Sequence, residues 1–303
     1  YHRTKKAADD FLRASPLTWT IIQPSLVFGA GSASTQLFLR LASLPLTPLV
    51  GRGDQCVQPI HIDDLCALIV TLLDRTLAHR ATIAAVGSQV TTLRDLLSIY
   101  RAAMGLGRLR TISIPLPWMR FAARIGDLIH AGALSSETLD MLLRGNTASA
   151  AAMTQLLGRP PRAATEFVSA RDAPILRLHA LASWLRPVVL ASLALMWIGA
   201  AAVSWVYAKD KGIELLQHLG FQASAEYLLA LACLLNLGLG LVTAIRPSRG
   251  LWLAQLAVML SYTAALTYVA PGLWMDPFGP LLKNLPIATL LIGLALLDAR
   301  APR

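Results

Sequence analysis

Apolar and polar residues follow two different rhythms along this chain. Up to about residue 180, short apolar runs alternate with charged and turn-forming residues; from 187 to 298 the apolar runs are long and almost uncharged. In the first part, Ala7, Ala8, Phe11 and Leu12 recur at helical spacing with Lys6, Asp9, Asp10 and Arg13 between them. This pattern predicts an amphipathic helix over 2–14, stopped at Ser15-Pro16. The β-branched and aromatic run 18–22 predicts a strand that Gln23-Pro24 ends, followed by a loop over 24–29. Further on, the pattern predicts a helix over 36–44, a glycine-rich turn over 49–54 and a short extended segment over 57–62. A helix over 65–73 is capped by Asp63 or Asp64, a strand covers 81–86, and a helix over 93–104 is capped by Thr91 or Thr92. Residues 110–170 read as mainly helical, with Pro115 and Pro117 breaking the start and Arg159-Pro160-Pro161-Arg162 as rigid punctuation. Helix, turn, buried strand and loop in succession predict an α/β sheet.

The second part predicts an all-α transmembrane bundle of four helices. Three spans are expected over 187–208, 227–245 and 251–270, each of bilayer-crossing length. A weaker fourth is expected over 281–298, where Lys283 and Asp298 at its ends can snorkel. Residues 171–186 read as a linker. Arg177 and Arg186, then Arg246 and Arg249, then Arg300 and Arg303 mark three segments that the positive-inside rule puts on one side. The expectation is a multi-pass protein of the cytoplasmic (inner) membrane, with its N-terminal domain and C-terminus in the cytoplasm. Gly199, Gly238 and Gly240 are expected to let helices approach closely. Asn236, Gln255, Tyr262 and Tyr268 are expected to serve mainly as interhelical hydrogen-bond partners. Trp274 is expected at the outer interface.

Length and charge narrow the function classes. The 303 residues leave room for two domains. The net charge of +10 comes from arginines scattered through the first 190 residues. They do not cluster with aromatics, which argues against a nucleic-acid partner and for a basic surface beside an anionic leaflet. Three cysteines, an odd number, form no disulfide framework and fit a reducing compartment. Cys56, His61, Asp63 and Cys66 do not have the spacing of a zinc site, so no metal is expected.

The candidate chemistry opens the chain. Tyr1 and Lys5 lie one helical turn apart, on the same face of the first helix. An ammonium beside a phenol favours the phenolate and lowers its pKa from ~10, so the hydroxyl can exchange a proton near neutral pH. Because the chain begins on this residue without an initiator Met, it reads as a fragment of a longer protein.

Motif order adds a family resemblance. Tyr1-x-x-x-Lys5, Trp19-Thr-Ile-Ile-Gln-Pro24, Val27-Phe28-Gly29, Gly51-x-Gly53 and Pro59-Ile-His61-Ile-x-Asp64-Leu follow one another. The series resembles the extended or atypical short-chain dehydrogenases/reductases, the NAD(P)-dependent epimerase/dehydratase-like proteins. It covers residues 1 to about 90 well and 91–170 more loosely. The resemblance implies the C-terminal half of a Rossmann-type domain over 1–170, with NAD or NADP as cofactor and a small-molecule substrate. It implies Tyr1 as the catalytic acid or base, and Lys5 as the residue that holds the nicotinamide ribose and tunes Tyr1. Pro24, Val27 and Phe28 would lie along the nicotinamide, and Gly29 and His61 would face the substrate side. Read as residues alone, His61 also fits a satisfied structural histidine, Asp64 a helix cap, and Gly51 and Gly53 a turn.

The departures from the family pattern are a missing Gly-rich strand–turn–helix for the pyrophosphate and a missing Ser or Thr about a dozen residues before the tyrosine. The 303-residue chain is therefore expected neither to bind cofactor tightly nor to turn over. Residues 180–303 resemble a DoxX-like four-helix membrane domain. Two other readings stay open: a non-catalytic NAD(P)-binding scaffold or redox sensor of a membrane complex, and a function held by the membrane domain with a quinone or another membrane redox partner.

Overall fold

A computed structural model describes residues 2–29, 31–74, 80–128 and 136–298. They form two compact units, 1–184 and 185–303. The first unit opens with α1 (His2–Ala14), β1 (Thr20–Pro24), β2 (Val27–Phe28) and α2 (Ala33–Ser43). Then come β3 (Thr47–Val50), β4 (Cys56–Val57), β5 (Ile60–His61), α3 (Ile62–Asp74) and β6 (Ala81–Ala85). It continues through β7 (Thr91–Thr92), α4 (Leu93–Ala103), β8 (Thr111–Ile114), α5 (Leu116–Leu128), α6 (Ser136–Arg144) and α7 (Ala151–Leu157). Three pairings are parallel: β1 with β6 from Thr20↔Ala81 to Pro24↔Ala85, β2 with β5, and β3 with β8. Among the described residues, β4 and β7 pair antiparallel. Parallel strands covered by helices make this unit α/β, as the rhythm of the sequence predicts.

Local chemistry explains the best-formed elements. Thr92 caps α4 by accepting the Asp95 N–H at 3.1 Å. Leu93, Leu96, Leu97 and Tyr100 then fall on one face and are all buried. They meet Phe28, Leu39, Leu49, Val57 and Phe167 in the larger core. Ile60, Leu68, Ile83, Ala85 and Met153 form a second core under α3 and α7. Arg101 is also buried and donates to the Ala42 and Leu44 carbonyls at 2.7 and 2.8 Å, closing the C-terminus of α2.

Several boundaries depart from expectation. Pro24 is the paired last residue of β1, and the expected loop over 24–29 contains β2. A two-residue strand is too short to show a period in sequence. The expected turn over 49–54 begins as the end of β3. Its partner β8 lies inside the stretch read as helical, because strand pairing is decided by a segment distant in sequence. Asp63 and Asp64 sit in the first turn of α3 rather than before it. The α1 stripe stays largely open: Ala7, Ala8 and Phe11 are exposed and Leu12 is half-buried.

The second unit is helical. The expected linker is instead the start of α8 (Ala173–Val206), a continuous helix with Pro187 inside it. Its first half is rich in Ala, Leu and Arg and contains no glycine, so helix is its natural state. An unexpected helix α9 (Lys209–His218) precedes α10 (Ala225–Ile245), α11 (Arg249–Val269) and α12 (Asn284–Leu297). Among the described residues, three helices, α8, α10 and α11, are long and apolar enough to cross a membrane. The fourth expected span is shorter. α12 has 14 residues, about 21 Å at ~1.5 Å per residue against a hydrocarbon core of ~30 Å.

All four apolar helices share one core, built from Leu193, Trp197, Leu239, Trp252, Met259, Leu291 and Leu294. Tyr262 donates to Asn236 at 3.1 Å and Gln255 to Thr243 at 2.6 Å, joining α11 to α10. Tyr268 stays exposed. Asp298 accepts from Arg186 at 2.8 and 3.0 Å and from Trp252 at 2.9 Å. Of the three glycines expected at helix contacts, only Gly240 makes one. A Cβ there would stand 2.6 Å from Ile198 and 2.9 Å from the Ala194 carbonyl, whereas Gly199 and Gly238 have open space.

Gly240→Ala should therefore destabilise the bundle by ~1–3 kcal/mol through overpacking. Gly238→Ala, on the same helix, should be neutral or stabilise by up to ~1 kcal/mol. Unfolding of the two variants in detergent measures the difference.

Candidate functional site

Three of the expected site residues end parallel strands: Pro24 closes β1, Phe28 closes β2 and His61 closes β5. Open α/β sheets bind their ligands at this carboxyl edge. Pro24 is exposed there and Val27 half-buried. The Val27 carbonyl accepts from the Ser34 and Ser32 hydroxyls at 3.3 and 3.4 Å, which draws the start of α2 against β2. Gly29 is buried and donates its N–H to Thr35 Oγ1 at 3.1 Å. A Cβ at Gly29 would lie 3.0 Å from Ile62 Cβ, so backbone packs directly on the start of α3. Lys5 is exposed on α1, and Gln23 on β1 donates to Asp9 on that helix at 3.2 Å. Tyr1 lies outside the described residues.

The ring of Phe28 belongs to the core. It packs on Phe167, Tyr100 and His61 at centroid distances of 5.1, 5.3 and 5.8 Å. His61 meets Phe167 edge-on at 5.4 Å. Burial in this nest raises the pKa of the Tyr100 phenol well above its ordinary value.

The hydrogen bonds around His61 favour one tautomer. Its Nδ1 accepts the Asp63 N–H at 3.2 Å and faces Arg162 Nη1 at 3.2 Å, and that guanidinium also donates to Asp63 at 2.8 Å. An accepting Nδ1 requires the neutral ring with its proton on Nε2. Electrostatics agree: burial lowers the His61 pKa from 6.5, and Arg162 pushes the same way against the opposing carboxylates of Asp63 and Asp64.

Next to Asp63, Asp64 is fully buried. Arg159 donates to one oxygen at 2.6 Å and the Arg162 backbone N–H to the other at 2.8 Å. Buried Gln58 makes a second brace. Its Nε2 donates to the Gly87 carbonyl at 2.8 Å and its Oε1 accepts the Ala148 N–H at 2.9 Å, while Ser25 donates to its carbonyl. Gly87 must be glycine here, since a Cβ would stand 2.0 Å from the Pro59 carbonyl oxygen.

Comparison with known proteins separates the two parts of the chain. The DoxX-like family matches residues 194–292. The DoxX-like match runs from within α8 to within α12 and takes in α9, α10 and α11. No curated protein matches the chain. Among solved structures, the chain is similar to a nucleoside-diphosphate-sugar epimerase from Staphylococcus aureus, at 17% identity over 54% of this chain and 56% of that one, with a TM-score of 0.44. It is similar to the UDP-glucose 4-epimerase of Thermotoga maritima at 14% identity, over 62% and 52%, with a TM-score of 0.38. It is also similar to RMD of Pseudomonas aeruginosa, solved with NADPH, at 13% identity over 51% and 47%, with a TM-score of 0.35. The chain spans about half the length of these structures.

Arg159, Arg162, Gln58 and Phe167 were not singled out as site residues in the sequence. Arg159-Pro160-Pro161-Arg162 carries the one available signal, two cations held by prolines, but nothing in its neighbourhood names Asp63 and Asp64 as partners.

The two arginines should separate in a stability measurement. Arg159→Ala leaves a buried carboxylate on a single backbone donor. Breaking a buried pair costs ~3–5 kcal/mol, and with the Arg159 side chain 47% exposed about 2–3 kcal/mol is expected. Arg162→Ala removes the solvent-facing pair with Asp63 and the guanidinium contact to His61, leaves the backbone N–H on Asp64 in place, and should cost about 1 kcal/mol.

A second test uses pH. A histidine whose pKa falls on folding binds its proton more readily when unfolded, so stability drops as pH falls through ~6.5 and below. Urea midpoints between pH 7.5 and 5.5 should fall more for the parent than for His61→Gln. Equal slopes would exclude the buried neutral ring.

Proposed function

We propose that the first unit is the catalytic half of a membrane-anchored NAD(P)-dependent oxidoreductase or epimerase acting on a hydroxyl or carbonyl of a small molecule. The observation that carries this reading is that Pro24, Phe28 and His61 each stand at the carboxyl end of a parallel strand, with Lys5 on the helix tied to β1. The residues present fit the nicotinamide end of a dinucleotide. Exposed Lys5 and Pro24 and half-buried Val27 offer the surface, while the backbone of 27–29 is held rigid by Ser32, Ser34 and Thr35. A bound nicotinamide would supply or accept the hydride. Tyr1 would exchange a proton with the substrate oxygen, and the Lys5 ammonium would hold the ribose and favour the phenolate. His61, neutral with Nε2–H available, would orient the substrate side as a donor.

The sequence carries no Gly-rich motif of the kind that cradles a pyrophosphate, so the activity is proposed for a chain that also carries one. The bundle would hold the reductase at the cytoplasmic face of the inner membrane, by the arginine distribution. The DoxX-like match supports a second reading, in which the bundle itself holds the function with a membrane redox partner.

Fluorescence titration with NADH and NADPH distinguishes them. The complete reading frame should bind one dinucleotide, the 303-residue chain only weakly. Lys5→Met should weaken binding at least ~10-fold, the loss of about 1.4 kcal/mol. Tyr1→Phe should leave binding intact and abolish turnover. Binding unaffected by Lys5→Met would refute the site, and no binding by the complete chain would move the function to the bundle.

A further inference from the structure

The helix α5 has two apolar faces, and only one of them is used. Ala123 and Gly126 are buried, with Leu116 and Met119 half-buried in the small core shared with α6. A second stripe, Trp118, Phe121, Ile125 and Leu128, follows at spacings of three and four residues along the same helix. These four side chains are 67, 59, 45 and 80% exposed. Leaving such a continuous row in water forgoes the burial free energy of four large side chains, one of them tryptophan. Arg120 and Arg124 stand exposed along one edge of the stripe. The acid on that edge, Asp127, is engaged at its own end of the helix, where it accepts the Ser136 N–H at 3.0 Å. Hydrogen bonding to Ser136 lowers its pKa, so it remains an anion and the helix edge carries one net positive charge.

We infer that α5 is an interfacial helix: its Trp118–Phe121–Ile125–Leu128 stripe lies in the headgroup region of the bilayer, with Arg120 and Arg124 on anionic lipid phosphates. The occupant is chosen by three observations. Among the described residues, three helices are long and apolar enough to cross a membrane, which would bring a bilayer within reach of this unit. An apolar face of Trp, Phe, Ile and Leu beside arginines is the composition of helices that lie in the interface plane. The edge charges complement anionic headgroups and would gain nothing from an apolar protein partner. The inference is independent of the reductase reading, since it requires neither Tyr1 nor a cofactor.

The test uses the whole chain reconstituted in phosphatidylcholine vesicles with or without phosphatidylglycerol. Exposed Cys56 and Cys66 are changed to Ser, Cys233 being buried, and nitroxide labels are placed singly through Phe121→Cys, Ile125→Cys or Arg120→Cys. All three are surface positions, so the fold is not at stake. Collision with oxygen and with a water-soluble nickel complex reports depth. At 121 and 125 the oxygen-to-nickel ratio should exceed that at 120 several-fold, and it should rise when phosphatidylglycerol is present. Adding Arg124→Glu to the label at 121 should remove the rise. Equal, water-like values at all three positions would overturn the inference. So would positions 121 and 125 shielded from both reagents whatever the lipid, which would mean that a second copy or another protein surface covers the stripe.

Discussion

A carboxylate with no access to water constrains the first unit more than any other group. Asp64 lies in the first turn of α3, just after β5, and its two oxygens are taken by Arg159 and by the backbone of Arg162. Such an anion is tolerable only while its partners stay in place, because an uncompensated buried charge costs several kcal/mol. The pairing ties a strand-to-helix junction to a segment almost a hundred residues later. It delivers the Arg162 guanidinium to His61 and Asp63 and helps bring Phe167 over His61 and Phe28.

The consequences reach the backbone of the candidate site. With Phe28 committed to the aromatic nest, residues 27–29 present main chain rather than ring to the strand ends, braced by the hydroxyls of Ser32, Ser34 and Thr35. Gln58 acts in the same way one layer deeper, joining β6's exit at Gly87 to the segment before α7. Gln58 and Ser25 are matched to main-chain partners, and a satisfied pair of this kind favours one arrangement over its neighbours. Such bracing would suit the transfer chemistry proposed for this unit, since small displacements of positioned groups cost large factors in rate.

The helical unit is organised differently. Its faces are apolar almost all round, so composition says little about which helix touches which. Contacts are selected by a small residue, Gly240, and by polar pairs: Tyr262 with Asn236, Gln255 with Thr243, and Asp298 with Arg186 and Trp252. Packing and hydrogen bonds of this sort choose partners where hydrophobicity cannot.

What could be read in the sequence was whatever depends on neighbours close in the chain. The helix over 2–14, the Thr92 cap with its 3.6-residue apolar period, the strand at 81–85 and the long uncharged runs all declare themselves within a few turns. The order of short motifs named Pro24, Phe28 and His61 as candidate site residues; that each ends a parallel strand is known only from the fold. Pairing and burial were decided only in three dimensions. β8 found β3, two-residue strands completed each other, the supposed linker continued as helix, and two arginines fixed by prolines became the partners of Asp63 and Asp64. The reason is physical: periodicity and capping are local energies, whereas the fate of a buried charge, a strand edge or an apolar stripe depends on a surface that exists only once the chain has folded.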